Sequence, residues 1–419
     1  MRKSLPFASF LSGTIMLAAV ATAQQTDKFA YSITDVNQQG ANWNFLRKLN
    51  LQTGTYSDVL LSGNDASVMS YDASSKKQLV TAFKDPQYGD FANASFATGV
   101  AAMAFDKKNN RLYYTPMLID QLRYIDLKTM KIYFVTDRSF TGKPQKSPDQ
   151  GNIVTRMVIA SDGFGYAMTN DATQLIRFST GKKMEITDLG SMVDDQANKD
   201  ASVHNSCSSY GGDMIADDNG NIYVFSARNH VFKINVETKV ATHLGIVSGL
   251  PAGFTINGAA VTDDNKIVVS SAMQSASYYT IDHKSLTATP YTINGIVWQS
   301  SDLANSNLLI SGKKPADVTT DVIAKTTPVA IGDSKVTIYP NPVTDNQFTL
   351  QFNKLEAGNY SLLVKDVMGR QILQRSVSIS GDNQSQLVKL NAASGRGVYL
   401  VQVTDVNGKV VYSTKVVVQ

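Results

Sequence analysis

One layout recurs along the N-terminal part of this chain, and it limits the fold more than any other feature. "MAFDKKNNRLYYTPMLIDQLRYIDLKTMKIYFV" from Met103 and "MIADDNGNIYVFSARNHVFKINVETKVATHL" from Met214 follow one plan. Each has an apolar run, an aspartate, a polar turn, a strand, a loop, a strand ending in Ile-Asp or Ile-Asn, a Thr turn and a last strand. "VIASDGFGYAMTNDATQLIRFSTGKKMEITDL" from Val158 and "AVTDDNKIVVSSAMQSASYYTIDHKSLTATPY" from Ala260 repeat it. Short alternating runs bounded by Gly, Asn and Asp dominate, and helical periodicity is hard to find, so the reading is all-β. The corresponding aspartates are Asp72, Asp106, Asp162, Asp217, Asp263 and Asp302, separated by 34, 56, 55, 46 and 39 residues. Four-stranded units of about 40 to 50 residues cannot bury their apolar faces alone and stack into propeller blades. The carboxylate after each inner strand is expected to accept backbone N–H groups across a tight turn.

The unit near Asp302 stops after an inner strand and one partner, while "FAYSIT", "NFLRKLNLQTG" and "TYSDVL" supply strands before any inner-strand motif. Joining these fragments completes one blade from both ends of the domain and hides the sheet edges of an open ring. Six blades are expected, with seven the alternative. No blade carries a Trp-Asp dipeptide or a Ser-x-Asp-x-Gly-x-Thr-Trp box, so the layout resembles six-bladed propellers in general and no family among them.

The chain begins "MRKSLPFASFLSGTIMLAAVATAQQ": Arg2 and Lys3, an apolar run from Leu5 to Val20, then Ala21-Thr22-Ala23. This is the pattern of a secretory signal peptide over residues 1–23, with Gln24 the new N-terminus. The run is short for a bilayer span, which takes about 20 apolar residues. Thirty-nine Lys and Arg against 35 Asp and Glu give +4, about +2 once Arg2 and Lys3 are removed. That balance makes no electrostatic case for nucleic acid. A single cysteine, Cys207, allows no intrachain disulfide, so stability has to come from buried apolar surface.

The expected domains are a propeller over 24–312, a polar linker over 313–334 and a second domain over 335–419. The last contains a duplication: "GNYSLLVKDVMGRQI" at Gly358 and "GVYLVQVTDVNGKVV" at Gly397 superpose at an offset of 39, matching Tyr360 with Tyr399, Val364 with Val403, Asp366 with Asp405 and Gly369 with Gly408. Alternate apolar positions make one buried strand face, and Asp-Val-x-Gly suits a hairpin turn. With "KVTIYPNPV", "NQFTLQF" and "SQLVKLNA" this gives about seven strands, a small sandwich of immunoglobulin-like size.

These residues, in this order, resemble the C-terminal sorting domain of type IX (Por) secretion substrates. The resemblance implies Tyr339-Pro340-Asn341-Pro342 as the opening motif, Gly358, Tyr360, Asp366 and Gly369 in a central hairpin, and Gly397, Tyr399, Asp405 and Gly408 in the terminal signal. It further implies the type IX translocon and its C-terminal-domain peptidase as partners, with surface lipopolysaccharide as an attachment point after cleavage. The cargo would then pass through the periplasm and reach the cell surface or the medium. On physical grounds the two prolines, which fix φ and lack an N–H, are expected to make a stiff, non-pairing entrance to the sandwich.

In the propeller, "GSMVDDQANKDASVHNSCSSYGGD" from Gly190 is a polar insertion carrying Asp194, Asp195, His204 and Cys207, the candidate ligand contacts. His204 and Cys207 are one potential metal or nucleophile pair with no second pair at metal spacing, so no metal, cofactor or catalytic residue is assigned. "DDNGN" and "TDDNK" fit blade turns better than calcium loops. His230, His243 and His283 are isolated within blade strands or turns and read as structural. Phe83, Tyr88, Phe91 and Phe96 fit packing between blades better than a ligand platform. No local catalytic motif is present, which leaves two readings: an exported propeller that binds protein or glycan, or a secreted propeller enzyme (hydrolase, lyase or lactonase) with its site at the axial mouth.

Overall fold

The computed structural model describes residues 26–35, 42–80, 85–181, 183–312, 336–339, 341–343, 347–352, 355–366, 370–379, 384–390, 397–406 and 409–418. The expected signal peptide and linker, Pro340, Gly369, Gly408 and Phe83 lie outside them.

Every sheet in residues 26–312 follows from the recurring unit. Its inner strands are Val100–Asp106, Val154–Ile159, Asp213–Ala216, Gly258–Val261 and Ser300–Ala304. Each opens a blade of antiparallel neighbours. The inner strands touch in that order, and the last returns to the first. Their side chains alternate between the two neighbouring blades. Met214 and Ala216 pack with Tyr166 and Met168 of the second blade, while Ile215 packs with Ala259 and Val261 of the fourth. Likewise Met103 and Phe105 face Tyr31 and Ile33, and Ala102 and Ala104 face Met157 and Ala167. The strands are therefore buried on both faces, and period-2 burial closes into a ring of blade-to-blade cores. One close approach at the axis leaves no room for a side chain. A Cβ on Gly258 would lie 2.5 Å from Ser270 Oγ and 2.8 Å from the Leu303 nitrogen.

The propeller therefore has five blades among the described residues, against the six expected. Of the six aspartates, one marks no blade of its own. Asp72 sits in an outer strand, Ser70–Asp72, that pairs parallel with Lys131–Phe134 at the edge of the first blade. It still makes its turn, accepting from the Ser74 and Ser75 nitrogens. Asp106, Asp162 and Asp217 form the expected turns, Asp217 accepting from the Asn219 and Asn221 nitrogens at 2.9 and 2.8 Å. In the fourth blade the turn is capped by Thr262 Oγ1 rather than Asp263, taking the Lys266 N–H at 3.0 Å. Asp302 is not in a turn at all but inside an inner strand.

The fifth blade is completed from both ends, as expected. Phe29–Thr34 pairs antiparallel with Ser300–Ala304, Tyr31 opposite Ala304, and Phe45–Asn50 continues the sheet. A clasp reinforces the join. Asp27 Oδ2 accepts from the Ser306 nitrogen and hydroxyl at 2.9 and 2.6 Å, and Asn307 Nδ2 donates to the Asp27 carbonyl at 2.8 Å.

The second domain is the expected seven-stranded sandwich. Val336–Tyr339, Gln347–Phe352 and Gln384–Lys389 form one sheet; Gln371–Ile379, Gly358–Asp366, Gly397–Thr404 and Val410–Val418 form the other. The duplicated strands pair with each other at its centre, Leu362 opposite Val403 and Val364 opposite Val401. Tyr360, Leu362, Val364, Tyr399, Val401 and Val403 are buried in one core. Asp366 and Asp405 hold their hairpins alike, accepting from the Arg370 and Lys409 nitrogens at 2.9 Å.

The entrance to this domain, expected to avoid pairing, is instead joined to the last strand. Asn341 Nδ2 donates to the Lys415 carbonyl at 2.9 Å, Asn341 Oδ1 accepts from the Val417 nitrogen at 2.8 Å, and the Val343 nitrogen donates to the Val417 carbonyl at 2.7 Å. The Asn341–Pro342 peptide is cis. Where prolines remove backbone donors, the asparagine side chain supplies the pairing in their place. Asn341→Ala deletes two of these bonds and should weaken the domain by about 1–2 kcal/mol. Hydrogen exchange on the full chain should then show the Val417 amide losing protection while blade amides keep theirs.

Candidate functional site

The polar insertion is ordered by the residues that made it a candidate. Val193–Asp194 adds to the outer edge of the third blade, parallel to Val240–Ile246. Asp194 accepts from the Ser202 hydroxyl at 2.5 Å and the Val203 nitrogen at 2.8 Å. Asp195 accepts from the Ala197 nitrogen at 3.0 Å and the Thr242 hydroxyl at 2.7 Å. His204 sits between backbone carbonyls, its Nδ1 2.6 Å from that of Asp171 and its Nε2 3.2 Å from that of Met192. Cys207 is exposed. Three of the four are occupied with folding the loop, and the fourth, the thiol, is exposed. Among the described residues no three His, Cys, Asp or Glu side chains gather into a metal-binding group.

The aromatic stretch also reads as packing. Phe96 is wholly buried against Tyr114, with ring centroids 5.0 Å apart. Tyr88 packs on Ala92, Ala97 and Ile119, while Phe91 is half exposed. The segment is fastened from below by Arg123, fully buried on the first blade. Its Nη1 donates to the Ala94 and Ser95 carbonyls at 2.7 and 2.8 Å, its Nη2 to the Ala92 carbonyl at 2.6 Å, and its Nε to Gln121 Oε1 at 2.8 Å. The guanidinium lies 3.7 Å from the Phe134 ring centroid. Burial lowers it to about 10, so it stays charged at neutral pH.

Two features of the propeller escaped sequence reasoning. The first is a hub of ionisable groups that ties all five blades together at the axis. Asp213, at the start of the third inner strand, accepts from the Ala259 nitrogen of the fourth blade at 2.7 Å and from its neighbour Met214 at 2.7 Å. It also bonds the Leu303 backbone of the fifth blade. Asp302 of the fifth blade accepts from the Met103 nitrogen of the first at 3.1 Å. Arg156 of the second blade donates through Nε to the Gly211 carbonyl at 3.0 Å and through Nη2 to the Ser209 carbonyl, and its charge favours the Asp213 carboxylate. All three side chains are fully buried.

Burial and the neighbouring Asp213 push the Asp302 carboxyl well above the usual carboxylate range. Burial raises the Asp213 carboxyl too, but the Arg156 charge and three N–H donors oppose that shift, so Asp302, with a single N–H donor, is the member of the pair that holds a proton. Arg156 Nη1 and Asp302 Oδ1 have no hydrogen-bond partner among the described residues. The "GGDM" at the head of the third inner strand, Gly211 to Met214, was the one visible hint. The axial cavity between Met103, Met157, Met214, Ala259 and Leu303 is about 10 Å³, room for about one water molecule.

The second is an open cleft of about 410 Å³ on the outer strands of the third blade, walled by Ala197, Lys199, Asp200 and Ala201 of the insertion and by His230 and His243. The two histidines, separate in sequence, meet here: His230 Nδ1 is 3.0 Å from His243 Nε2. A bulge between Val231 and Phe232 places His243 opposite Phe232, and so diagonal to His230.

No curated protein matches the chain. Among solved structures it is similar to PorZ, a bacterial surface component of the type-IX secretion system of Porphyromonas gingivalis, at 15% identity and a TM-score of 0.34, covering 94% of this chain and 58% of PorZ. The chain thus spans less than two thirds of that protein's length. A streptogramin B lyase aligns at 11% identity and a TM-score of 0.32, covering 62% of this chain and 66% of the lyase. The virginiamycin B lyase of Staphylococcus aureus aligns at 14% and 0.30, covering 76% and 84%. Residues 337–419 match the family model of the secretion system C-terminal sorting domain, and in those residues the chain carries the sorting domain of a type IX secretion substrate.

Proposed function

We propose that this chain is an exported β-propeller that binds a protein or glycan at the cell surface or in the medium. The sorting domain implies export by the type IX machinery to one of those places. On this reading residues 1–23 direct passage into the periplasm and the translocon takes the folded propeller onward. The C-terminal-domain peptidase then removes the sorting domain, and the cargo is joined to lipopolysaccharide or released.

The binding half of the reading rests on where the open space lies. The axis, where a propeller enzyme would place converging groups, is packed down to about 10 Å³ and its carboxyl pair is buried. The large open cleft lies instead on an outer blade face, between the insertion and the third blade. A rim cleft with Lys199, Asp200 and two imidazoles offers hydrogen bonds of both polarities to a polar ligand, which suits recognition.

Deleting residues 336–419 should leave the propeller folded and retained in the periplasm. Surface display of the truncated protein at the normal level would overturn the export assignment. For binding, Asp200→Ala with Lys199→Ala should abolish retention on whichever glycan or protein an array identifies for the wild type.

A further inference from the structure

The chemistry of the His230–His243 pair goes beyond ligand recognition. Each neutral imidazole carries one N–H. The His243 ring also donates to the backbone of Gly245, so the hydrogen between the two rings belongs to His230 and the His243 Nε2 lone pair points at it. His243 thus has its far ring nitrogen fixed by a carbonyl, as is found around metal-binding histidines, and its near nitrogen becomes available once His230 moves its hydrogen to Nε2. The spacing agrees. Two nitrogens each about 2.1 Å from one ion lie about 3.0 Å apart at a right angle and about 3.4 Å apart in a tetrahedron. The observed separation is 3.0 Å. The rings are held in place by packing on Phe232, at 5.1 Å from His243 and 6.4 Å from His230.

We propose that His230 Nδ1 and His243 Nε2 bind one borderline divalent transition-metal ion, such as Cu²⁺, Ni²⁺ or Zn²⁺, in two adjacent coordination positions, leaving the remaining positions open to the cleft. On binding, the hydrogen between the rings leaves Nδ1, and His230 takes the tautomer protonated at Nε2. With no third His, Cys, Asp or Glu gathered beside the pair among the described residues, water completes the coordination sphere. The exposed Asp200 carboxylate and Lys199 ammonium flank the cleft, the first attracting the ion and the second opposing it. Two imidazoles favour Cu²⁺ over Zn²⁺ by the usual order of divalent affinities.

The test uses the full exported chain, purified without a histidine tag and titrated with Cu²⁺ and Zn²⁺ by calorimetry. One saturable equivalent is expected, tighter for Cu²⁺, with the Cu²⁺ resonance spectrum showing hyperfine coupling to two nitrogens. His230→Phe and His243→Phe keep the ring packing and remove the nitrogens; each should weaken binding by more than about ten-fold, with an unchanged circular dichroism spectrum. Cys207→Ser should bind as the wild type does. The proposal is overturned if the wild type shows no saturable binding, if binding survives both histidine variants, or if it disappears with Cys207.

Discussion

Asp302→Asn should make the propeller more stable at neutral pH than the wild type, and the gain should vanish in acid. The sign follows from linkage. An unfolded aspartate titrates near about 4, whereas Asp302 in the folded hub holds its proton well above that. The folded state thus binds a proton that the unfolded state has released, and the side chain's contribution, complete below about pH 4, is lost as pH rises toward the folded value. Each pH unit across that window costs about 1.4 kcal/mol. Asparagine carries no proton to lose, keeps an oxygen for the Met103 N–H, and should flatten the profile. Denaturant titrations of both proteins from pH 4 to 8 give the result directly. A variant less stable than the wild type at every pH, with an unchanged slope, would show that Asp302 is ionised in the hub.

Arg123→Met should have the opposite effect, a loss of about 3 kcal/mol at any pH near neutrality. The methionine fills most of the volume but leaves the Ala92, Ala94 and Ser95 carbonyls without the donor that now serves them. An unsatisfied buried acceptor costs about 1–3 kcal/mol, and relief of the buried charge offsets part of the sum. The damage should concentrate in residues 85–97, where limited proteolysis would cut the variant long before the wild type. Equal resistance to protease would mean that the aromatic packing around Phe96 holds the segment without the arginine.

These two residues also show where reading the sequence stops. Strands, turns, the two-ended fifth blade and the seven-strand sandwich were legible because each is a local pattern: alternation, a turn aspartate, a duplicated "Tyr…Val…Asp". The blade count was not, because aspartate does three jobs here. Asp217 closes a turn, Asp72 closes one in an outer strand outside the recurring unit, and Asp302 belongs to the axis. Nothing in the residue or its neighbours distinguishes them; only the ring does. The insertion was correctly singled out as unusual, but Asp194, Asp195 and His204 are used up in shaping it. The cleft it walls is completed by histidines brought together by a strand bulge, an irregularity with no sequence mark. Asn341 was noticed for its prolines, while its amide carries the pairing.

The clasp at the fifth blade has a bearing on timing. A polypeptide threaded across a membrane from its first residue onward presents Phe29–Thr34 early, yet the partner of that strand, Ser300–Ala304, comes last in the propeller. Until it emerges, the first strand can pair only with Phe45–Asn50, and the blades form an open arc with two raw ends. The ring can snap shut only when nearly all of the cargo has crossed, and the sorting domain follows within a few tens of residues. Completion of the cargo and arrival of its address label are thereby made nearly simultaneous, so a truncated propeller that could not close would also lack the tag that sends it outward.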